Sequence, residues 1–205
     1  MSTGFHETKE RLIQTTVQLI DELPFEQISS ALVLERSGIS KGSMYHFFED
    51  FSDLLDAAYA RRFAYLVKIS ADYIQTILDD SHSAKEFFEK LRLLTIRTQS
   101  RDRSSLRFER ARMLARAERN ERFRKTLGAI QQDLTDQMTH SIILGQEKGW
   151  ITTKYEARTI AVFIQSYTLG RLIDEIVEKP MNDDDWNHMI DDIAEKIFAD
   201  FEVEA

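Results

Sequence analysis

Read from its amino end, the chain places apolar residues at helical spacing almost throughout. Residues 7–22 carry Leu12, Ile13, Val17, Leu19 and Ile20 on such a pattern. Pro24 ends that segment, because proline cannot donate into a continuing helix. Ser29 is placed to cap a second helix that runs to about Ser37, with Leu32 and Val33 inward. Gly38 suits a left-handed turn that residues with a Cβ resist, and Ser40 then caps a short third helix through Phe48. A fourth helix is predicted from Phe51 to about Leu78, and a domain boundary near residue 65 falls inside it, giving segments 5–65 and 66–205. Ser83 opens a helix to about Gln99, and 104–118 and 120–147 follow, the last closed by Lys148-Gly149. Residues 155–178 read as one penultimate helix, ended by Lys179-Pro180. Asn182 or Asp183 caps a last helix to about Phe201, in which Trp186, Ile190, Ile193, Ile197 and Phe201 form one apolar stripe. No strand pattern, internal repeat or low-complexity tract interrupts this, so the predicted class is all-α.

Composition agrees and narrows the chemistry. Two prolines and seven glycines leave long stretches without a breaker, and 42% hydrophobic residues among 205 suffice for a real core. There is no cysteine, so disulfides, thiolate nucleophiles and thiolate metal sites are excluded. The polar start MSTGFHETKE lacks an apolar signal region, and no run of 18 apolar residues exists. The expectation is a cytoplasmic protein with no membrane partner. The histidines at 6, 46, 82, 140 and 188 are scattered, without the i, i+4 pair of a helical metal site. No nucleophile elbow, glycine-rich phosphate loop or paired-carboxylate motif stands out. No catalytic residue, metal or cofactor is therefore predicted, which disfavours an all-α enzyme.

The informative stretch is Ile28-Ser-Ser-Ala-Leu-Val-Leu-Glu-Arg-Ser-Gly-Ile-Ser-Lys-Gly-Ser-Met-Tyr-His-Phe-Phe48. Two short helices meet at Gly38, and Val33, Ile39 and Met44 can pin them together. Such a pair can lay its second helix in the DNA major groove, where base edges carry a readable donor and acceptor code. Lys41 can meet guanine or phosphate, Gly42 lets backbone come close, and Ser43 can donate or accept. Tyr45 and His46 can reach the flanking backbone, and Ser29, Ser30 and Ser40 complete the DNA-binding candidates.

Residues 7–60 resemble the DNA-binding domain of the TetR family of regulators. Its signature runs close to Ala-Gly-Val-Ser-Lys-Gly-Thr-Leu-Tyr-x-His-Phe, with Leu-Leu shortly after. Here the chain reads Ser37-Gly-Ile-Ser-Lys-Gly-Ser-Met-Tyr-His-Phe-Phe48 and then Leu54-Leu55. Further along, Glu147-Lys-Gly-Trp-Ile, Glu156-Ala-Arg and Gly170 resemble the family's approach to its last two helices. The resemblance implies about nine helices: a three-helix DNA-binding head, then a larger body holding a small-molecule pocket. It also implies a homodimer through the last two helices. The expected function is ligand-responsive transcriptional control, more often repression, on a double-stranded, pseudo-palindromic operator. Two positions that commonly touch phosphate in the family depart from it, being Phe47 and Phe51 here.

Charge complicates that expectation. The net charge is −8. Residues 1–56 hold four basic side chains against ten acidic ones, a balance of −6, which is unusual where phosphate neutralisation supplies much of the affinity. The alternative reading is a dimer of the same build with weak or lost DNA binding, serving as a small-molecule or protein-binding module. Residues 97–125 are the opposite, with eleven basic against four acidic side chains. They read as a solvated face laced with ion pairs, as a source of one arginine that grips an anionic ligand, or, as the family resemblance implies, as a basic relay facing the acidic head. For the pocket, the apolar candidates are Phe87, Leu91, Phe108, Met113, Phe163 and Tyr167, with Tyr73, Thr95, Arg112, His140 and Gln165 as polar anchors.

Overall fold

The computed structural model describes residues 3–197, and among them the chain is helical with no strand element. Ten α-helices follow in order: α1 (Thr3–Glu22), α2 (Ser30–Ser37), α3 (Lys41–Phe47), α4 (Phe51–Asp79), α5 (Ala84–Gln99), α6 (Ser104–Arg119), α7 (Glu121–Glu147), α8 (Ala157–Gly170), α9 (Leu172–Glu175) and α10 (Asp183–Glu195). They form two compact units. One comprises the chain up to Val67 together with Asn120–Ile130, and the other Lys68–Arg119 and the chain from Gln131 onward. Both α4 and α7 therefore run from one unit into the other.

In the first unit α1 packs on α2 and α3. Leu12, Leu19, Val33, Met44, Leu54 and Ala58 are fully buried there, and Phe123 and Leu127 of α7 are buried in the same unit. Local chemistry sets the helix ends. The Ser29 hydroxyl accepts from the Leu32 amide at 3.2 Å, and the Ser40 hydroxyl from the Ser43 amide at 3.1 Å. Gly38 closes α2 at φ +65°, the left-handed conformation for which glycine is suited.

In the second unit α10 packs on α5, and α6 on α8 and α9. Ser83 caps α5 through the Glu86 amide at 3.2 Å. Asn182 caps α10, its Oδ1 accepting from the amides of Asp184 and Asp185 at 2.8 and 3.1 Å. Trp186, Ile190, Ile193 and Ile197 of the terminal stripe are described, whereas Phe201 lies outside the described residues.

The penultimate helix is not continuous. It breaks at Arg171 into α8 and the one-turn α9, and the chain leaves helix at Ile176. The reason is a buried ionic cluster that periodicity does not reveal. Arg107 and Glu175 form an ion pair with both side chains only 5% exposed. Arg107 also donates to the carbonyls of Thr98 and Ser100 at 2.9 Å each, and Ser104 donates to Glu175 at 2.9 Å. Arg171, equally buried, pairs with Asp183 and lies 3.8 Å from Glu175. Turning Arg171 and Glu175 inward leaves Ile173 and Ile176 outside, 79% and 74% exposed.

Candidate functional site

The first unit presents an exposed polar face on α3. Val33, Ile39 and Met44 are buried and hold α2 against α3. This fixes what the other side of α3 shows to solvent. Ser40, Lys41, Gly42, Tyr45 and His46 are exposed, and Ser43 is half-exposed. Ser29 is exposed and Ser30 half-exposed at the start of α2. The two hydroxyls of Ser40 and Ser43 lie 2.9 Å apart, so each has its rotor constrained. Lys41 Nζ sits 5.8 Å from the centroid of the Tyr45 ring, a contact that steadies both without burying either. Gly42 is not demanded by the fold, since a Cβ built there would meet only the Ser40 hydroxyl, at 4.0 Å.

Phe47 turns away from that face. It borders a cavity of about 220 Å³ inside the unit, with Phe48, Lys9, Asp53, Asp56, Arg122 and Phe123. Arg122, from the start of α7, pairs with Glu49 at 3.2 Å and with Asp53. Asn120 caps the same helix through the Phe123 amide at 3.0 Å and donates to Asp56 at 2.9 Å. The first turns of α7 are thereby tied to the acidic start of α4.

These contacts correct the charge reading. The unit contains Arg61, Arg62, Arg122, Arg124 and Lys125 in addition to the four basic residues of 1–56. With Glu121 added to the ten acids, nine basic face eleven acidic side chains, a balance of −2 rather than −6. Glu10 pairs with Arg61, Asp21 with Arg62 at 2.6 Å, and Glu22 with Arg36 at 3.3 Å. The Arg61 hydrogen bonds hold the Glu10 carboxyl below the usual carboxylate range. Much of the apparent acidity is thus engaged within the unit.

The second unit holds a partly open pocket of about 260 Å³. Its walls are mostly apolar, supplied by Phe87, Phe88 and Leu91 of α5, Leu134, Met138 and Ile142 of α7, and Ile160, Phe163 and Ile164 of α8. Six of the eleven residues expected from the sequence line it: Phe87, Leu91, Thr95, Phe163, Gln165 and Tyr167. The others lie outside its lining. Tyr73, Arg112 and His140 are exposed, Phe108 is half-buried, and Met113 is buried elsewhere in the unit.

Polar groups enter this wall at two places. Tyr167 is pushed up by burial, partly offset by its hydrogen bond with Thr95. Nearby Arg92 pairs with Asp191 at 2.6 Å, which raises the arginine further. The second place centres on Arg110, which the sequence reading did not select. Its Nη2 donates to the amide oxygens of Gln131 at 2.8 Å and Gln165 at 3.3 Å. Gln131 in turn donates to Gln165 at 2.6 Å, and Gln165 to Thr135 at 3.2 Å. The signal for Arg110 was present, because it lies three and seven residues before Met113 and Ala117, the buried apolar positions of α6. Arg112 is on the other face.

Against known proteins, no family model matches the chain. A curated relative, the HTH-type transcriptional regulator BetI of Proteus mirabilis, is 40% identical over 50 residues, which span 24% of this chain and 25% of that protein. The solved structures decide the architecture. A TetR-family transcriptional regulator from Mesorhizobium loti superposes with a TM-score of 0.68 at 12% identity, over 95% of this chain and 96% of its own. The chain has the TetR-family fold. A second neighbour with this fold is a transcriptional regulator from Saccharomonospora viridis solved in complex with choline, with a TM-score of 0.64 at 18% identity, covering 94% of this chain and 98% of its own. In the TetR-like frame α1–α3 form the three-helix head and the 260 Å³ cavity lies in the body. Among the described residues, no helix is long and apolar enough to cross a membrane.

Proposed function

We propose that this chain is a ligand-responsive, DNA-binding transcriptional regulator that acts as a homodimer in the cytoplasm. The dimer represses by occupying a pseudo-palindromic operator and leaves it when a small molecule fills the body cavity. The observation that carries this reading is the exposed face of α3, where Ser40, Lys41, Gly42, Ser43, Tyr45 and His46 stand clear of a buried Val33–Ile39–Met44 hinge. Residues 5–65 serve as the DNA-binding domain, with Ser29 and Ser30 at the phosphate backbone. Residues 66–205 serve as the ligand-binding and dimerisation domain.

Exposed apolar side chains support the dimer. Ile173, Ile176, Val177 and Met189 of the last helices and their connection lie open to solvent in the single chain. The choline complex of the neighbour supports a small-molecule site in a body of this build. Repression follows by linkage, since a ligand that binds better to the form with displaced heads lowers DNA affinity by that differential and no more.

A mobility-shift assay with the DNA flanking the chain's own gene tests the reading. The expected result is a shift that excess unrelated DNA does not compete away, and that Lys41→Ala with Tyr45→Ala abolishes. No specific shift at low salt overturns DNA binding and leaves the binding-module alternative. In parallel, light scattering should report a dimer that Ile173→Asp with Ile176→Asp dissociates.

A further inference from the structure

Each polar side chain described at the wall of the body pocket already has a partner within the protein. Arg92 of α5 and Asp191 of α10 both line the pocket, and they pair with one another at 2.6 Å. Gln165 accepts from Arg110 and Gln131 at 3.3 and 2.6 Å and donates to Thr135 and to the Ala161 carbonyl at 3.2 Å each, so its oxygen and both its N–H groups are engaged. Thr168 donates to the Ile164 carbonyl at 2.8 Å and accepts from Gln99 at 3.0 Å. Thr98 donates to the Thr95 carbonyl at 3.0 Å, Ser141 to that of Gln137 at 3.3 Å, and Tyr167 is bonded to the Thr95 side chain. Ser70 and Arg110 complete the polar lining, and both have partners as well. The rest is aliphatic and aromatic, with Phe87, Leu91, Met138, Ile160 and Phe163 prominent. At the packing density of protein interiors, a 260 Å³ pocket accepts about 190 Å³ of van der Waals volume, roughly ten to twelve carbon-sized atoms.

We propose that the effector is a neutral, hydrocarbon-rich molecule of about ten to twelve heavy atoms, and that the Arg92–Asp191 pair sets this preference by answering each of its charges with the other. A charged ligand gives up its hydration on entering, and only a partner at the wall repays that loss. An anion would have to draw Arg92 from Asp191, and a cation would have to draw Asp191 from Arg92. Either exchange strands a charge of the protein beside hydrocarbon. Asp191 is the less able to turn to water, its side chain being 15% exposed against 47% for Arg92. A neutral apolar molecule requires no exchange, because its carbon surface meets carbon and every existing hydrogen bond stays in place. The pair also ties α5 to α10, which pack on one another, so the packing of the fold keeps the two charges together. Arg92 and Asp191 are thus specificity-determining residues of the pocket.

This inference rests on the reading of the pocket as the effector site, and it is tested by direct binding without DNA. Isothermal titration calorimetry on the full chain at pH 7.4 compares 1-decanol, decanoate and decylammonium, three probes of nearly equal length. The expected result places 1-decanol at least about tenfold tighter than either ion, a tenfold difference being about 1.4 kcal/mol. Asp191→Asn releases Arg92 and should shift the affinity ratio of decanoate to 1-decanol at least about fivefold toward decanoate. Arg92→Gln releases Asp191 and should shift the ratio of decylammonium to 1-decanol the same way, which keeps the test open if Asp191→Asn fails to fold. Leu91→Trp fills the pocket and should weaken 1-decanol binding, which separates the pocket from surface adsorption. An ion that binds wild type as tightly as 1-decanol, ratios that stay fixed in the charge variants, 1-decanol binding unaffected by Leu91→Trp, or no binding of any probe overturns the proposal. An ion bound tightest and lost in Leu91→Trp overturns the neutral class and leaves the effector site standing. The expected order without any release of operator DNA by 1-decanol overturns the effector reading and leaves the preference of the pocket standing.

Discussion

Replacing Glu175 by Gln tests the buried cluster that breaks the penultimate helix and shapes the body. The substitution keeps the size of the side chain and one oxygen for Ser104, but removes the charge facing Arg107 and Arg171. Both guanidiniums are almost fully buried, and among the described residues the other carboxylate paired with Arg171, that of Asp183, is 41% exposed. Removing one partner of a buried pair strands the other, which costs about 3 kcal/mol at the low end of measured cases. For a chain of this length that lowers the melting temperature by roughly 6–12 °C. Burial by itself raises the Glu175 carboxyl, but the hydrogen bonds from Arg107 and Ser104 and the charge of Arg171 outweigh it, so its pKa is lowered. A depressed folded-state pKa stabilises fully above the unfolded value of about 4.3 and loses that stabilisation as pH falls through the folded value. Thermal melts of wild type and variant should therefore differ by a constant amount from pH 7 to 5 and converge below about pH 4. The double variant Arg107→Met with Glu175→Leu should recover most of the loss, because an apolar pair of similar volume needs no desolvated charge. A gap under about 1 kcal/mol at pH 7, or one that persists unchanged into acid, refutes the assignment of the cluster as a coupled buried pair.

Other substitutions separate folding from recognition. Gly42→Ala should leave the melting temperature unchanged or raise it, by up to about 1 kcal/mol of helix propensity, while weakening operator binding at least about tenfold; equal affinity by fluorescence anisotropy removes Gly42 from the interface. Gly145→Ala drives a Cβ to within 2.6 Å of Ile151 Cδ1, so a loss of about 1–3 kcal/mol in denaturant titrations is expected. Arg122→Glu sets a third acid beside Glu49 and Asp53 and should lower the melting temperature. Adding Asp53→Arg should restore it, and failure of that restoration counts against the clamp. Phe51→Lys should steepen the log–log salt dependence of operator binding by about two units, the value of one added phosphate contact in each subunit of the dimer, in filter-binding titrations.

Most helix ends were legible because their chemistry is local. Ser29, Ser40, Ser83 and Asn182 each cap through an amide two or three residues on, and Gly38 makes its turn with its own φ. Which face of α3 is exposed was legible for the same reason, since Val33, Ile39 and Met44 lie within twelve positions and determine which side is buried. The two-helix motif therefore follows from residues 28–48, and the likeness to the TetR family from residues 7–60.

What lies far apart along the chain had to be brought together before it could be read. The head looked acidic because a count over residues 1–56 cannot include Arg122, 66 positions beyond its end, which folding sets against Glu49 and Asp53. Arg107 and Glu175 are 68 residues apart, and only their meeting explains why an apolar, helix-favouring stretch stops at Arg171. Arg110 and Arg112 are equivalent in composition, and the packing of α6 against α8 puts the first at the cavity wall and the second in solvent. Helix boundaries depend on hydrogen bonds within one turn, which sequence order determines. The charge of the head and the meeting of Arg107 with Glu175 depend on neighbours in space, which only the tertiary structure decides.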